Sequence, residues 1–177
     1  YINTQLIKEF LINNPLFSLG PAIDDKVIVL GKLRLDIKDD IYGDVKDKFD
    51  IKLVLDKSFP NMPPKVYEIG NRFPKTLDYH TFPDDESLCL GSPLSLKKRL
   101  RDDPTLDGFM KSCITPYFYA IALKIQGKKS FVFGELQHGF DGIIQDYMEC
   151  FELENLDQVN QALLILSVKT NKGNKMS

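Results

Sequence analysis

Apolar residues recur along this chain first at helical spacing, then at strand spacing, then at helical spacing again. Within NTQLIKEFLINN, Leu6, Phe10 and Leu11 mark one face of a short amphipathic helix, with Asn3 or Thr4 available as N-cap and Pro15 beyond its end. VIVLGKLRLDI at 27–37 sets Leu30, Lys32, Arg34 and Asp36 against Leu33, Leu35 and Ile37, which reads as a half-buried strand. FDIKLVL at 49–55 is its expected antiparallel neighbour across a polar turn containing Gly43, and KVYEI follows as a third strand. Between them Pro60, Pro63 and Pro64 lack amide donors and must interrupt any ladder. A meander of this kind needs helices over one face.

The later pattern supplies them. From Thr105, a stripe of Leu106, Phe109, Met110, Cys113, Ile114, Tyr117, Phe118 and Ile121 predicts a helix that packs on the sheet. Pro116 falls inside it, which calls for either a kink or a second helix with Thr115 as N-cap and Pro116 at its first position; Gly127 then ends it. DGIIQDYMECF at 141–151 and LDQVNQALLIL at 156–166 predict two further helices, and the polar residues 169–177 are expected to fray. There is no internal repeat and no low-complexity segment.

Length and composition then narrow the class. A chain of 177 residues with 43% hydrophobic and 27% charged residues supports one α+β domain with a substantial core. A net charge of -2 and a pI near 5.7 argue against nucleic acid as a partner. No apolar run approaches the length of a membrane span and no signal-peptide pattern is present, so a soluble cytoplasmic protein is expected. Three isolated cysteines make no disulfide framework, and with only two histidines they make no metal-binding pattern. No phosphate-binding glycine loop appears, so no cofactor is expected and any carboxyl activation must happen elsewhere.

Candidate chemistry gathers after the third strand. The run from Gly70 to Ser87 has neither period, and a loop of that length in a compact domain is usually functional or disordered; its prolines and aromatics favour order. Leu88 and Leu90 bracket Cys89, so burying both leucines would turn the thiol to the opposite face and display it as a nucleophile. Gly91 and Ser92 stand beside it, and the amide of Gly91 is a candidate oxyanion donor. Cys113 and Cys150 lie on or beside helical apolar stripes and read as core residues. His80 has two readings, ordering the loop or acting as general base. Glu135 and His138, in GELQHG between Gly134 and Gly139, form a segment that either closes over Cys89 or is simply a turn.

The turn and strand FPNMPPKVYEI, His80, and the pair Cys89-Leu90 together resemble the ubiquitin-conjugating enzyme family, over about residues 1–125. In that family a proline-rich turn leads to a strand, a loop with a His-Pro-Asn signature, and an acceptor cysteine followed by Leu. Here Thr81 and Phe82 follow His80, so the signature's Asn is absent. CLGSPLSL and FGELQHGFDGIIQDY are similar to the bacterial branch, including the stand-alone conjugating-enzyme-like proteins of antiphage cyclic-oligonucleotide signalling operons. The resemblance implies a conjugating-enzyme fold across 1–177, with a core to about 126, a helical extension over about 127–168 and the tail. It also implies a thioester between Cys89 and the C-terminal carboxylate of a protein ending in glycine, passed on to an amine. The donor it implies is a cGAS-like nucleotidyltransferase or a ubiquitin-like modifier, with a separate activating enzyme. Two rivals remain: a non-catalytic binding module of the same fold, and a cysteine hydrolase pairing Cys89 with His80 or His138.

Overall fold

A computed structural model describes residues 4–127, together with 144, 147–148, 150–161 and 164. The chain divides into two compact units, Tyr1–Glu135 and Leu136–Ser177. The first is an α+β unit built on a four-stranded antiparallel sheet in the order β1-β2-β3-β4.

Helix α1 (Thr4–Asn13) leads into β1 (Phe17–Leu19), and its buried side chains are Ile7 and Phe10, with Leu6 and Leu11 partly buried beside them. Phe10 meets Phe17 edge to face at 5.3 Å. Phe17 pairs across the ladder with Gly31, where a Cβ would lie only 2.3 Å from the Phe17 ring. Glycine in mid-strand is therefore what lets β1 and the helix close onto the sheet.

Strands β2 (Val27–Ile37) and β3 (Val45–Leu55) pair along their whole length, from Val27↔Leu55 to Ile37↔Val45. β3 begins four residues earlier than its apolar run, because the Asp39 carboxylate takes the Ile41 and Tyr42 amides at 2.9 and 2.8 Å. That tight turn, with Gly43 at φ 111°, leaves Val45 in register with Ile37. The inner face of β3 carries Val45, Phe49, Ile51, Leu53 and Leu55, all buried, while Lys46, Lys48, Asp50 and Lys52 alternate outward. After a turn through the prolines, in which the Phe59–Pro60 peptide is cis, β4 (Lys65–Glu68) adds to the far side of β3.

The helices that cover the inner face differ from the predicted pattern in two places. Helix α2 (Pro93–Asp102) has no apolar stripe strong enough to announce it, yet Ser92 caps it by accepting the Ser95 amide at 3.1 Å, and Pro93 opens it. The stripe from Thr105 forms a short α3 (Leu106–Phe109), a π-helical segment (Met110–Ile114) and α4 (Thr115–Ile125). Thr105 caps α3 by accepting the Gly108 amide at 2.9 Å. No break or N-cap precedes Pro116: Ile114 and Thr115 both stay helical. In α register the Ser112 carbonyl would take the amide of residue 116, which proline lacks. The widened π turn makes room for the ring, and the Arg99 guanidinium donates to the Ser112 carbonyl at 3.0 Å in its place.

Helix α4 packs on β3 and β2, with Phe118 against Phe49 at 4.7 Å. Truncating so thoroughly buried an aromatic costs about 3–5 kcal/mol. Tyr119 donates to the Gly43 carbonyl at 2.8 Å, pinning the β2–β3 turn. Gly127 closes the helix at φ 93°.

In the second unit, residues 144, 147, 148, 150 and 151 are helical, as are 156–161 and 164, which matches both predicted helices where they are described. Asn155 caps the later one by accepting the Gln158 amide at 3.1 Å, and Gln158 reaches back to the Glu154 amide at 2.7 Å.

The Arg99 contact predicts a measurable coupling. Arg99→Met should lower stability by about 1 kcal/mol, and by less in a Pro116→Ala background, where residue 116 recovers its amide. Denaturant unfolding of the four chains gives the coupling; equal losses in both backgrounds would detach Arg99 from the proline.

Candidate active site

The loop that begins at Glu68 is organised around a buried carboxylate. Val66 and Glu68 alternate with Lys65 and Tyr67, so β4 drives the Glu68 side chain into the interior, where it is wholly buried. A lone buried charge would be costly, and it is met on all sides. The Gly70 amide donates at 2.8 Å, the Arg72 amide at 3.3 Å, and the Lys75 ammonium closes an ion pair. Those three contacts fold residues 70–75 back over the strand end. Arg72 then grips the Asp47 carboxylate through two nitrogens at 3.0 and 3.1 Å, and Phe73 is buried with the Tyr79 ring stacked on it at 5.6 Å.

A 3₁₀ turn over Leu77–Tyr79 follows, clamped from α4. Tyr117 donates to the Tyr79 carbonyl at 2.7 Å, and Lys124 donates to the Asp78 carbonyl at 2.6 Å while pairing with its carboxylate at 2.8 Å. His80 caps this turn in the left-handed conformation, φ 48° and ψ 46°, with its amide on the Leu77 carbonyl. Its own carbonyl accepts the Cys89 amide at 2.7 Å. Thr81, fully buried, pairs with Leu88, and the Leu88 amide donates to Val66 on the free edge of β4 at 2.8 Å. The cysteine segment therefore lies between β4 and residues 80–82, bonded to both.

Between those two runs the chain reverses through Pro83–Glu86. The Asp85 carboxylate holds the reversal, taking the Ser87 amide and hydroxyl at 3.0 and 2.6 Å and the Lys65 ammonium at 2.6 Å. The lysine and serine bonds hold the Asp85 carboxyl down at about 2, and the same pair raises the Lys65 ammonium. This carboxylate is spent on the turn and on Lys65.

Leu88 is buried and Leu90 packs half-buried against the core, as the alternation requires. The thiol of Cys89 is half-buried, where the sequence led us to expect open display. Burial pushes it above its ordinary value of 9.0, and a hydrogen bond from the Gly91 amide works in the opposite direction. Gly91 itself adopts φ +144°, a conformation that side-chain-bearing residues rarely reach, and so turns the chain away after that amide. Ser92 spends its hydroxyl on capping α2, and that helix starts two residues after Gly91.

Gly91, Ser92, His80 and Cys89 are thus brought together, with His80 joined to Cys89 through its backbone carbonyl. Glu135 and His138 lie outside the described residues. Cys113 is buried and Cys150 half-buried. Among the described residues no three His, Cys, Asp or Glu side chains group as metal ligands, and no helix is long and apolar enough to cross a membrane. Sequence reasoning missed Tyr117, which looks like one more member of an apolar stripe. Its hydroxyl ionises only well above the usual range, chiefly through burial, with the negative charges of Cys89 and Glu68 adding to the effect. Glu68 was also missed, although a carboxylate two residues from Val66 on the inward face of a strand is a readable signal.

No protein-family model, no curated protein and no solved structure matches this chain.

Two pH dependences follow. Alkylation of Cys89, read by mass spectrometry of its peptide, should keep accelerating through pH 9, because burial outweighs the Gly91 bond. A plateau below pH 8.5 would show an activated thiolate instead. The Asp85 turn stabilises fully above the ordinary carboxylate value of 3.8 and loses that contribution as pH falls towards 2. Protection of the Ser87 and Leu88 amides, taken relative to their intrinsic exchange rate at each pH, should therefore fall over that window, and in Asp85→Asn the fall should vanish.

Proposed function

We propose that the first unit has a ubiquitin-conjugating-like fold and works as an acyl carrier. In this reading Cys89 accepts the C-terminal carboxylate of a partner protein as a thioester and passes it to an amine in the cytoplasm. The observation that carries it is the setting of Cys89: a half-buried thiol on an extended segment paired on both sides, with a glycine amide directed at the sulfur. Two paired edges fix the nucleophile's backbone, which supplies the positioning that acyl transfer needs.

The Cys89 thiolate attacks the carbonyl of an acyl group already activated by another enzyme. The tetrahedral oxyanion collapses, the donor's leaving group departs and a Cys89 thioester remains. An amine then attacks that thioester, forming an amide and releasing the thiolate. His80 serves as a loop-ordering residue through its left-handed turn and its carbonyl bond to Cys89. The donor we favour is the C-terminal glycine of a cGAS-like nucleotidyltransferase, with a free ubiquitin-like modifier as the alternative. An extended tail running beside residues 70–87 would gain register from main-chain bonds.

One observation favours a second reading, a binding module of the same fold. Burial raises the resting thiol further from ionisation, and the surface around Cys89 would then hold a partner tail without acyl transfer.

Co-expression with the activating enzyme and donor separates the two. Wild type should carry a reductant-labile adduct, Cys89→Ser a reductant-stable ester and Cys89→Ala none, while Cys113→Ala and Cys150→Ala keep theirs at a stability cost of about 1 kcal/mol. A donor lacking its last few residues should not be captured. Equal, reductant-independent capture by wild type and Cys89→Ala would establish the binding module.

A further inference from the structure

Helix α4 reaches the cysteine segment through a short relay of backbone carbonyls. Tyr117 and Lys124 sit seven residues apart on one face of the helix and donate to consecutive carbonyls of the 3₁₀ turn, Tyr79 at 2.7 Å and Asp78 at 2.6 Å. The next carbonyl, that of His80, holds the Cys89 amide at 2.7 Å. Thr81, the residue after it, is fully buried, approaches the Tyr79 carbonyl at 3.4 Å and hydrogen-bonds the Tyr117 phenol.

The side chains pack in the same order. The Phe73 ring lies between Tyr79, stacked at 5.6 Å, and Tyr117, tilted at 6.5 Å. The Lys124 ammonium stands 4.7 Å over the Tyr79 ring. Tyr117 is thus the point where the helix, the turn and the thiol segment meet. The titratable groups that act on its hydroxyl are Cys89 and, from β4, Glu68, which is itself paired with Lys75.

We propose that Tyr117 is the positioning residue for Cys89: by donating to the Tyr79 carbonyl it fixes the turn whose next carbonyl holds the Cys89 amide, and so sets how deeply the thiol is buried. Removing the hydroxyl leaves the Tyr79 carbonyl only the long Thr81 contact at 3.4 Å and loosens the His80 carbonyl that follows it. The Cys89 amide then loses its anchor and the sulfur moves towards water.

Tyr119 provides a control on the same helix. It too is a buried tyrosine donating to a backbone carbonyl, that of Gly43 at 2.8 Å, but it serves the turn between β2 and β3. Tyr117→Phe and Tyr119→Phe each remove one tyrosine–carbonyl hydrogen bond, that of Tyr117 the more deeply placed, so a general loosening of the helix appears in both.

The experiment measures alkylation of the Cys89 peptide by iodoacetamide from pH 6 to 10, well below the melting temperature of each variant. Tyr117→Phe should alkylate about two- to tenfold faster at pH 8, the factor expected for one lost hydrogen bond, with its pH profile displaced to lower pH. Tyr119→Phe should follow wild type. Lys124→Met, which frees the neighbouring Asp78 carbonyl without opening the core, should shift the profile in the same direction and carries the test if Tyr117→Phe does not fold. An unmoved or upward-moved profile in Tyr117→Phe, or an equal shift in Tyr119→Phe, overturns the proposal. The link to catalysis rests on the acyl-carrier reading and is tested separately by thioester charging, which Tyr117→Phe should slow while Tyr119→Phe retains it. Failure of wild type to charge would sink that reading and leave the alkylation result standing.

Discussion

The free edge of β4 sets the constraint on which the rest of the cysteine region depends. A strand edge presents amides and carbonyls that must find partners, and here the Leu88 amide meets the Val66 carbonyl at 2.8 Å. Residues 88–89 thereby become a rudimentary extension of the sheet, and residues 80–82 pair with them in turn. A segment held on both sides cannot slide, so the side chain at 89 has one direction available. The long approach from Glu68 serves that arrangement, folding over a buried carboxylate until His80 arrives opposite Cys89.

This setting protects the thiol as well as positioning it. Half-burial raises its ionisation above the ordinary thiol range, and the Gly91 amide offsets only part of that. A fully exposed thiolate would be faster and also far more open to oxidation. The acidic run upstream, which would oppose the thiolate if it faced the sulfur, has its Asp85 carboxylate turned to Lys65 and Ser87.

Much of this was legible in the residues. The alternation in VIVLGKLRLDI and FDIKLVL gave away two strands, and Leu88 and Leu90 do point to the core. What escaped were features whose cause lies in a distant part of the chain. Pro116 reads locally as a kink or a fresh helix start, and only the Arg99 guanidinium, 17 positions earlier in sequence, explains how the helix runs on. Helix α2 carries Lys97, Lys98, Arg99 and Arg101, and of its leucines only Leu96 and Leu100 share a helical spacing, so its periodicity is faint, although Ser92-Pro93 is a cap followed by a first-turn proline. Tyr117 falls on an apolar stripe, and nothing in its neighbours says that its hydroxyl meets a carbonyl 38 residues away.

The π-helical segment has a consequence for how this chain can vary. One residue turns an α-helix by about 100°, and a π turn absorbs one extra residue without passing that rotation on. Met110–Ile114 therefore works as a phase buffer between the capped start at Thr105 and the face carrying Tyr117 and Lys124. A one-residue deletion inside it keeps both side chains aimed at the turn, at the cost of bringing the Pro116 ring against the Ser112 carbonyl in plain α geometry. The same deletion between Tyr117 and Lys124 would rotate one of them off the face, so tolerance to length change should differ sharply between two neighbouring stretches of one continuous helix.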